Sequence, residues 1–366
     1  MIPTARRRAT SSRAPRRRFV IAATSLAISL SAVLAGCAGA PVADRTSAAA
    51  TLTATPSETA TPTPTPEPPA TALSPLRGTE VLADSITGPA LTAKIDNHPA
   101  ARPQVGLERA DIVFEELVEG GLTRYVAAWY SDVPEQIGPV RSIRPMDPDI
   151  VSPFGGVIAY SGGQQRFVDM MVATNVHNAI HGGADDAYMF RTRTKAAPHN
   201  VLVEAQRLRA AYAGIAPPAQ QFAYSARPQT ASAAAYGSPA AGFDLSFSPR
   251  ETRSWRWDAA STRYLRAQNG VADLDASGAQ LGATNVVVVS VDIDWAYGEI
   301  PRTVMVGSGT AWIATGGKVV QATWTKPSRE APIALTNAYG MPIYLAPGNT
   351  WVELVPAGYG GAVGVV

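Results

Sequence analysis

The sequence predicts an α/β (or α+β) N-terminal domain followed by a mainly antiparallel β C-terminal domain, and three observations carry the prediction. Between residues 76 and 225, strand-like apolar runs alternate with segments of helical spacing. From about residue 240 to the end, short β-prone runs are cut by Gly, Asn, Asp and Pro, the pattern of an antiparallel sheet. Residues 37–75 are Ala, Thr, Ser and Pro with no aromatic side chain, so they cannot bury enough apolar surface to offset the entropy of ordering.

In chain order, the first half offers strands at "ALTAKI" (Ala90 to Ile95), "LTRYVAAWY" (Leu122 to Tyr130) and "GVIAY" (Gly156 to Tyr160). Helices are expected over Arg109 to Val118, over Gln164 to Val172, and over His199 to Ala213, where Val201, Leu202, Ala205, Leu208 and Tyr212 keep near-helical spacing. A Pro/Ala/Ser-rich passage, Pro217 to Pro239, separates the halves. Beyond it "FDLSF", "RSWRW", "TRYLRA", "NVVVVSVDI", "TVMVGSG", "AWIATGGKVVQATW", "PIALT" and "TWVELV" read as strands over 240–366. Trp255, Trp257, Trp312, Trp324 and Trp351 could line a sugar-stacking face, but tryptophan in short strands reads first as half-core.

Residues 1–36 have the layout of a secretory signal. Seven arginines precede an uncharged run from Phe19 to Gly36, and "LAGC" follows, with Cys37 the one cysteine of the chain. That ending resembles a bacterial lipobox, in which the cysteine is acylated, so Cys37 is expected to carry a lipid anchor in the outer face of the cytoplasmic membrane. Export is expected by the Sec route or, given "RRRFV", by the twin-arginine route. Residues 37–75 then form a disordered stalk whose alternating prolines favour polyproline II, with a reach on the order of 100 Å at about 3 Å per residue. Loss of seven arginines takes the basic count from 31 to 24 against 29 acids, and the formal charge from +2 to −5. The basic character belongs to the signal, so nucleic acid is not an expected partner.

The polar residues that could carry chemistry crowd into the first half. "KIDNHPAARPQ" sets Asp96, Asn97 and His98 at the end of a strand that Pro99 terminates, with Arg102 just beyond. "FEELVEGG" contributes Glu115, Glu116 and Glu119, and "LTRY" adds Arg124. In "IGPVRSIRP", Arg141 and Arg144 are fenced by prolines, which favours a bent, fixed loop presenting two guanidiniums to a carboxylate or phosphate. An internal alternative pairs these arginines with Glu115, Glu116 or Asp96 to pin the loop. "APHN" adds His199 and Asn200; His199 and Glu115 are the candidate catalytic bases, and all four histidines fall between residues 98 and 199. "HNAIH" has helical i, i+4 histidines, yet Asn178 stands where a zinc protease needs glutamate, and no third ligand is obvious; no metal and no cofactor is expected.

These motifs, with "GGQQ", "NVVVVSV", "VGSGTAWIATGGKVVQATW" and "PGNTWVELVP", resemble the YerB-like lipoprotein family, defined chiefly by a domain of unknown function, over about Leu76 to the carboxyl terminus. The resemblance implies an α/β head and a β-rich domain on a lipid anchor. Family-like polar positions are Asp96, Asn97, Arg102, Pro103, Glu115, Glu119, Arg124, Arg141, Arg144, His199 and Asn200. The expected function is that of an uncharacterised lipid-anchored extracytoplasmic protein whose first domain binds an anionic or carboxylate-bearing envelope ligand. A hydrolase or transferase acting on an envelope glycan or phosphodiester, and a protein-interaction module of the envelope, are the alternatives.

Overall fold

The computed structural model describes residues 69–366. The expected signal, Cys37 and the stalk up to residue 68 lie outside the described residues. No helix among the described residues is long and apolar enough to cross a membrane. Thr71–Leu73 already pairs antiparallel with Glu80–Leu82, and Leu76 is fully buried.

The first half supplies five strands to a large mixed sheet: β1 (Leu91–Asp96), β2 (Ile112–Leu117), β3 (Thr123–Trp129), β4 (Val157–Tyr160) and β5 (His177–Ile180). A sixth, β6 (Val201–Glu204), sits in a separate three-stranded sheet between Gln136–Ile137 and Met189–Arg191. The second half builds an antiparallel sheet around β7 (Gly242–Ser248), β8 (Glu251–Asp258) and β9 (Arg263–Gln268). It then returns to the large sheet with β10 (Asn285–Val291), β11 (Gly307–Thr315), β12 (Lys318–Lys326) and β13 (Thr350–Pro356). The resulting order is β12-β11-β10-β13-β2-β3-β1-β4-β5. The seam between the halves is β13, which pairs parallel with both β10 and β2.

Both faces of the large sheet are covered. On one face, Ile112, Phe114, Val126, Ala128, Val287 and Val289 pack with Ile150 of α1 (Asp147–Val151) and with Phe167 and Met171 of α2 (Gln165–Val172). On the other, Val113, Tyr125, Ala127, Val286, Val288 and Trp351 meet Phe243, Leu245, Phe247, Trp255 and Tyr264 of the second sheet. Trp255, Trp324 and Trp351 are therefore core, and Trp257 and Trp312 are half-buried.

Double coverage explains the main correction to the expected elements. The helix expected over Arg109 to Val118 is strand β2: "IVFEEL" is buried on both faces, Glu115 and Glu116 included, so the period of two that marks a one-sided strand is absent. Similarly, His199 to Ala213 divides into strand β6 and the short helix α3 (Ala205–Ala211), because Val201 and Val203 pair and pack in the three-stranded sheet. "HNAIH" is also extended, in β5, so its histidines do not share a helix face.

At the start of β4, Gly156 sits at φ +71°, and a Cβ there would lie 2.3 Å from the Ala90 carbonyl oxygen. That carbonyl accepts from the Val157 amide at 3.0 Å and so cannot swing away without breaking the ladder. Gly156→Ala is expected to destabilise by at least about 1–3 kcal/mol from backbone strain alone. Urea unfolding checks this; an unchanged midpoint would show that the strand start can yield.

Candidate functional site

Three strand ends meet on the face of the sheet that α1 and α2 cover. In register, Asp96 of β1 lies opposite Arg124 of β3, and Arg124 opposite Glu116 of β2. Lys94 projects to the same face two residues before Asp96. The "VRSIRP" loop is stitched across these ends by its backbone. The Asp96 amide donates to the Pro139 carbonyl (2.9 Å), the Arg141 amide to Lys94 (2.8 Å), the Ser161 amide to Arg141 (3.1 Å) and the Ile143 amide to Gly162 (3.1 Å). The two arginines are thus held still by main-chain bonds to β1 and to the turn after β4.

They do different work. Arg144 is buried and engages Glu119, its Nε donating to Oε2 at 2.7 Å, while its Nη1 donates to the Ile143 carbonyl at 2.8 Å. Arg124 joins this clamp, donating to the Ser142 carbonyl at 2.6 Å and lying 3.3 Å from Glu119 Oε1. Burial pulls Arg124 down to about 10, with the Arg144 charge adding to it. Burial pushes Glu119 up, but the Arg144 hydrogen bonds and the charges of Arg124 and Arg144 outweigh it and hold the carboxyl near about 2. Glu119, Arg124 and Arg144 form one ion-paired set, with the two arginines buried and Glu119 at its partly exposed edge.

Arg141 faces the surface instead, with 24% of its side chain exposed and its Nε 3.5 Å from Asp96 Oδ2. Among the described residues its guanidinium donates no hydrogen bond, and its Nε is without a partner, as is that of Arg102. Asp96 is buried and central. It accepts from the His98 amide at 3.0 Å through Oδ1 and contacts His199 Nδ1 at 2.6 Å through Oδ2. The His98 and His199 rings stack with centroids 4.2 Å apart and planes 14° apart. His98 Nδ1 accepts from the Ala100 amide at 3.1 Å, which puts the proton of the neutral ring on Nε2. Burial and then the His199 charge lower the His98 pKa below its ordinary 6.5. Lys195, from the loop before His199, donates to the Pro103 carbonyl at 3.0 Å and adds a cation beside Arg102.

The structure brings Asp96, Arg141 and His199 together, with Arg102 beside them, and separates the remaining candidates. Asn97 and Glu115 alternate onto the opposite face, inside the interface between the two sheets. Glu115 is fully buried there between Arg253 (2.6 Å) and Arg266, and accepts from Thr123 at 2.6 Å. Burial pushes Glu115 up, but the two guanidiniums outweigh it and hold it at about 2. Asn97 donates to Thr123 (2.7 Å) and Gln268 (3.1 Å) in the same network. Asn200 is buried, accepts from Arg191 at 2.8 Å and donates to the Thr192 carbonyl at 3.1 Å, so it closes the loop that carries His199.

Sequence reasoning passed over the residues that balance these charges. Lys94 is fully buried against Glu116 and Asp147, the latter at 2.7 Å. Arg253 and Arg266 hide in β8 and β9, and Glu353 of β13 accepts from Trp255 Nε1 at 2.7 Å. Burial, then the Glu115 charge, pushes Glu353 well above the carboxylate range. The available signal was a lone lysine within the otherwise apolar "ALTAKI", and inward-phased arginines in "RSWRW" and "TRYLRA". His177 meets Asp185 at 3.0 Å and His181 meets Asp186 at 2.7 Å. No group of three His, Cys, Asp or Glu placed to hold a metal ion occurs among the described residues.

Comparison with known proteins places the chain in a lineage. The chain is 26% identical over 277 residues, 72% of its own length and 80% of the other, to the protein named "Putative lipoprotein YerB" of Bacillus subtilis (strain 168). It shares its fold with the crystal structure of the YerB protein from Bacillus subtilis, at a TM-score of 0.68 and 20% identity, covering 80% of this chain and 99% of that one. Residues 76–216 match the N-terminal domain, and residues 243–352 the C-terminal domain, of the family described as a protein of unknown function (DUF3048). With both domains present in order, the chain belongs to the DUF3048 family.

Proposed function

We propose that this protein is a lipid-anchored extracytoplasmic receptor, acylated at Cys37, that binds an anionic ligand of the cell envelope at the surface formed by His98, Arg102, Arg141 and His199. The anchor rests on the "LAGC" ending and on the lipoprotein name of the relative. The observation that carries the binding reading is the Arg141 guanidinium, which lies 3.5 Å from Asp96 yet donates no hydrogen bond among the described residues. Arg144, Arg124, Arg253 and Arg266 are all consumed by protein partners, whereas Arg141 and Arg102 make no side-chain hydrogen bond among the described residues. A carboxylate or phosphate oxygen would supply the missing acceptor.

Thermal unfolding of the mature protein with inorganic phosphate, citrate or purified cell-wall fragments tests this. A ligand present at a hundred times its Kd should add about 2.7 kcal/mol. Arg141→Ala should abolish that gain while the unliganded protein still unfolds cooperatively, since Asp96 keeps the His98 amide and His199 as partners. A ligand shift that survives Arg141→Ala removes this surface from consideration.

The site should also respond to acid. With its folded pKa below the unfolded 6.5, His98 contributes stability that is full above 6.5 and is lost as pH falls below it. A bound anion favours the imidazolium and opposes that loss. The ligand-induced gain is therefore expected to be larger at about pH 5.5 than at about pH 7.5; a gain independent of pH would take His98 out of the site.

One observation favours a second reading, turnover of a glycan or phosphodiester. In the neutral His199 tautomer that donates from Nδ1 to Asp96, Nε2 is left as a free base beside the Arg141 cation. His199→Gln separates the readings: a binder keeps part of its ligand shift and shows no turnover before or after the change, whereas an enzyme loses turnover.

A further inference from the structure

Strand β8 ends "WRWD", and its alternation sends Trp255 and Trp257 to the same side of the second sheet. Trp255 is buried between the sheets, but Trp257, at the strand end, is half-buried and forms one wall of a groove of about 530 Å³. Its ring leans on Tyr264, with centroids 5.1 Å apart, and the turn between β11 and β12 passes close beside it. A Cβ at Gly317, where φ is +75°, would sit 3.1 Å from the indole, so a side chain there would crowd the ring. The indole N–H has no acceptor among the described residues.

The rest of the groove mixes apolar side chains, Pro228, Ala234, Ala346 and Pro347, with hydroxyls, an amide and one cation. Thr262, Thr284 and Gln229 line it with Arg263, and no acidic side chain does. Arg263 donates once to the Gly282 carbonyl and has no ion pair among the described residues. Burial lowers its pKa, with the Arg77 charge adding to the effect. This groove is lined entirely by other residues than those of the Arg141 surface.

We propose that the Trp257 groove binds a sugar unit bearing a carboxylate or phosphate group. Trp257 supplies indole surface to the groove wall, the kind of apolar surface that the C–H face of a pyranose covers. The threonine hydroxyls and the Gln229 amide supply a hydrogen-bonding edge. Arg263 supplies the counter-charge for the anionic substituent, in the fork geometry that suits carboxylate or phosphate. Its volume falls within the range of small-ligand sites.

Calorimetric titration of the mature protein with glucuronic acid, glucose 6-phosphate and glucose tests the proposal and separates the two anionic groups. Binding of either acidic sugar at least tenfold tighter than glucose is expected, and whichever acid binds identifies the substituent. Trp257→Ala should weaken the acidic sugar about tenfold. Arg263→Gln should reduce its affinity to that of glucose while leaving glucose unchanged, a readout that loss of folding would not produce. Equal affinity for all three sugars, no heat from any of them at millimolar concentration, or acidic-sugar binding unaffected by Arg263→Gln would each overturn the assignment. Because Trp257→Ala removes a packed side chain, Trp257→Phe is the companion variant and should retain more binding than alanine; equal loss in both would also count against stacking.

Discussion

Replacing Arg266 with methionine is expected to destabilise the protein by about 3–5 kcal/mol, a large share of the roughly 5–15 kcal/mol that holds a domain folded. Arg266 is fully buried and bridges Glu115 and Asp273, with Glu353 3.8 Å from its Nε. Methionine keeps the packing of the aliphatic stem, so most of the loss comes from the guanidinium: Glu115 keeps Arg253 alone, and Asp273 is left with no cation at all. The measurement is urea unfolding followed by tryptophan fluorescence, because Trp255 and Trp351 both pack around this network. Combining Arg266→Met with Asp273→Asn should recover part of the loss, since the second change removes the charge the first one stranded. A single-variant loss below about 1 kcal/mol would mean that water reaches the network and screens it.

Lys94→Met is expected to cost a similar amount, about 3–5 kcal/mol, by leaving Glu116 and Asp147 buried without their shared cation. In the native protein, burial pulls Lys94 down to about 8 against the raising charge and hydrogen bond of Asp147. Between about 8 and 10.5 the unfolded chain therefore holds more protons than the folded one, and the Lys94 contribution to stability rises with pH across that window. The variant should lose this alkaline rise. It should instead gain stability as pH falls toward about 5, because two stranded carboxyls with raised pKa values take up protons in the folded state. Unfolding midpoints at several pH values check both signs, and parallel pH profiles for the two proteins would rule out Lys94 as the counter-charge.

Both predictions concern residues that sequence reading undervalued, for a shared reason. A buried charge is legible only when its partner is known, and here the partners come from distant segments: Arg253 and Arg266 from the second sheet reach Glu115 in the first half, and Asp147 from α1 reaches Lys94 in β1. Read alone, Glu115 looked like a candidate base and Lys94 like a strand residue of no note. The arginine pair in "VRSIRP" shows the same limit. Proline fencing pointed to a bent loop, but the division of labour, Arg144 inward to Glu119 and Arg141 outward beside His98, depends on which side chain the loop turns toward the Glu119 turn.

Local patterning decided most of the strands. The one-sided alternation of "RSWRW" and "TRYLRA", the β-branched run "NVVVV" and the Gly-Gly turn of "AWIATGGKVVQATW" each carry their structure in a few residues, and the long motifs identified the family. Strand β2 and the parallel insertion of β13 between β10 and β2 did not announce themselves, since burial on both faces erases the period of two and strand neighbours are chosen by long-range packing. Asp96 and Asn97 make the point at the scale of a single bond. The sequence by itself placed both at the end of a strand, as adjacent members of one polar cluster. The pleat sends them to opposite faces, and only the tertiary structure, by covering one face with the His199 loop and the other with Arg253 and Arg266, assigned Asp96 to the surface site and Asn97 to the buried seam.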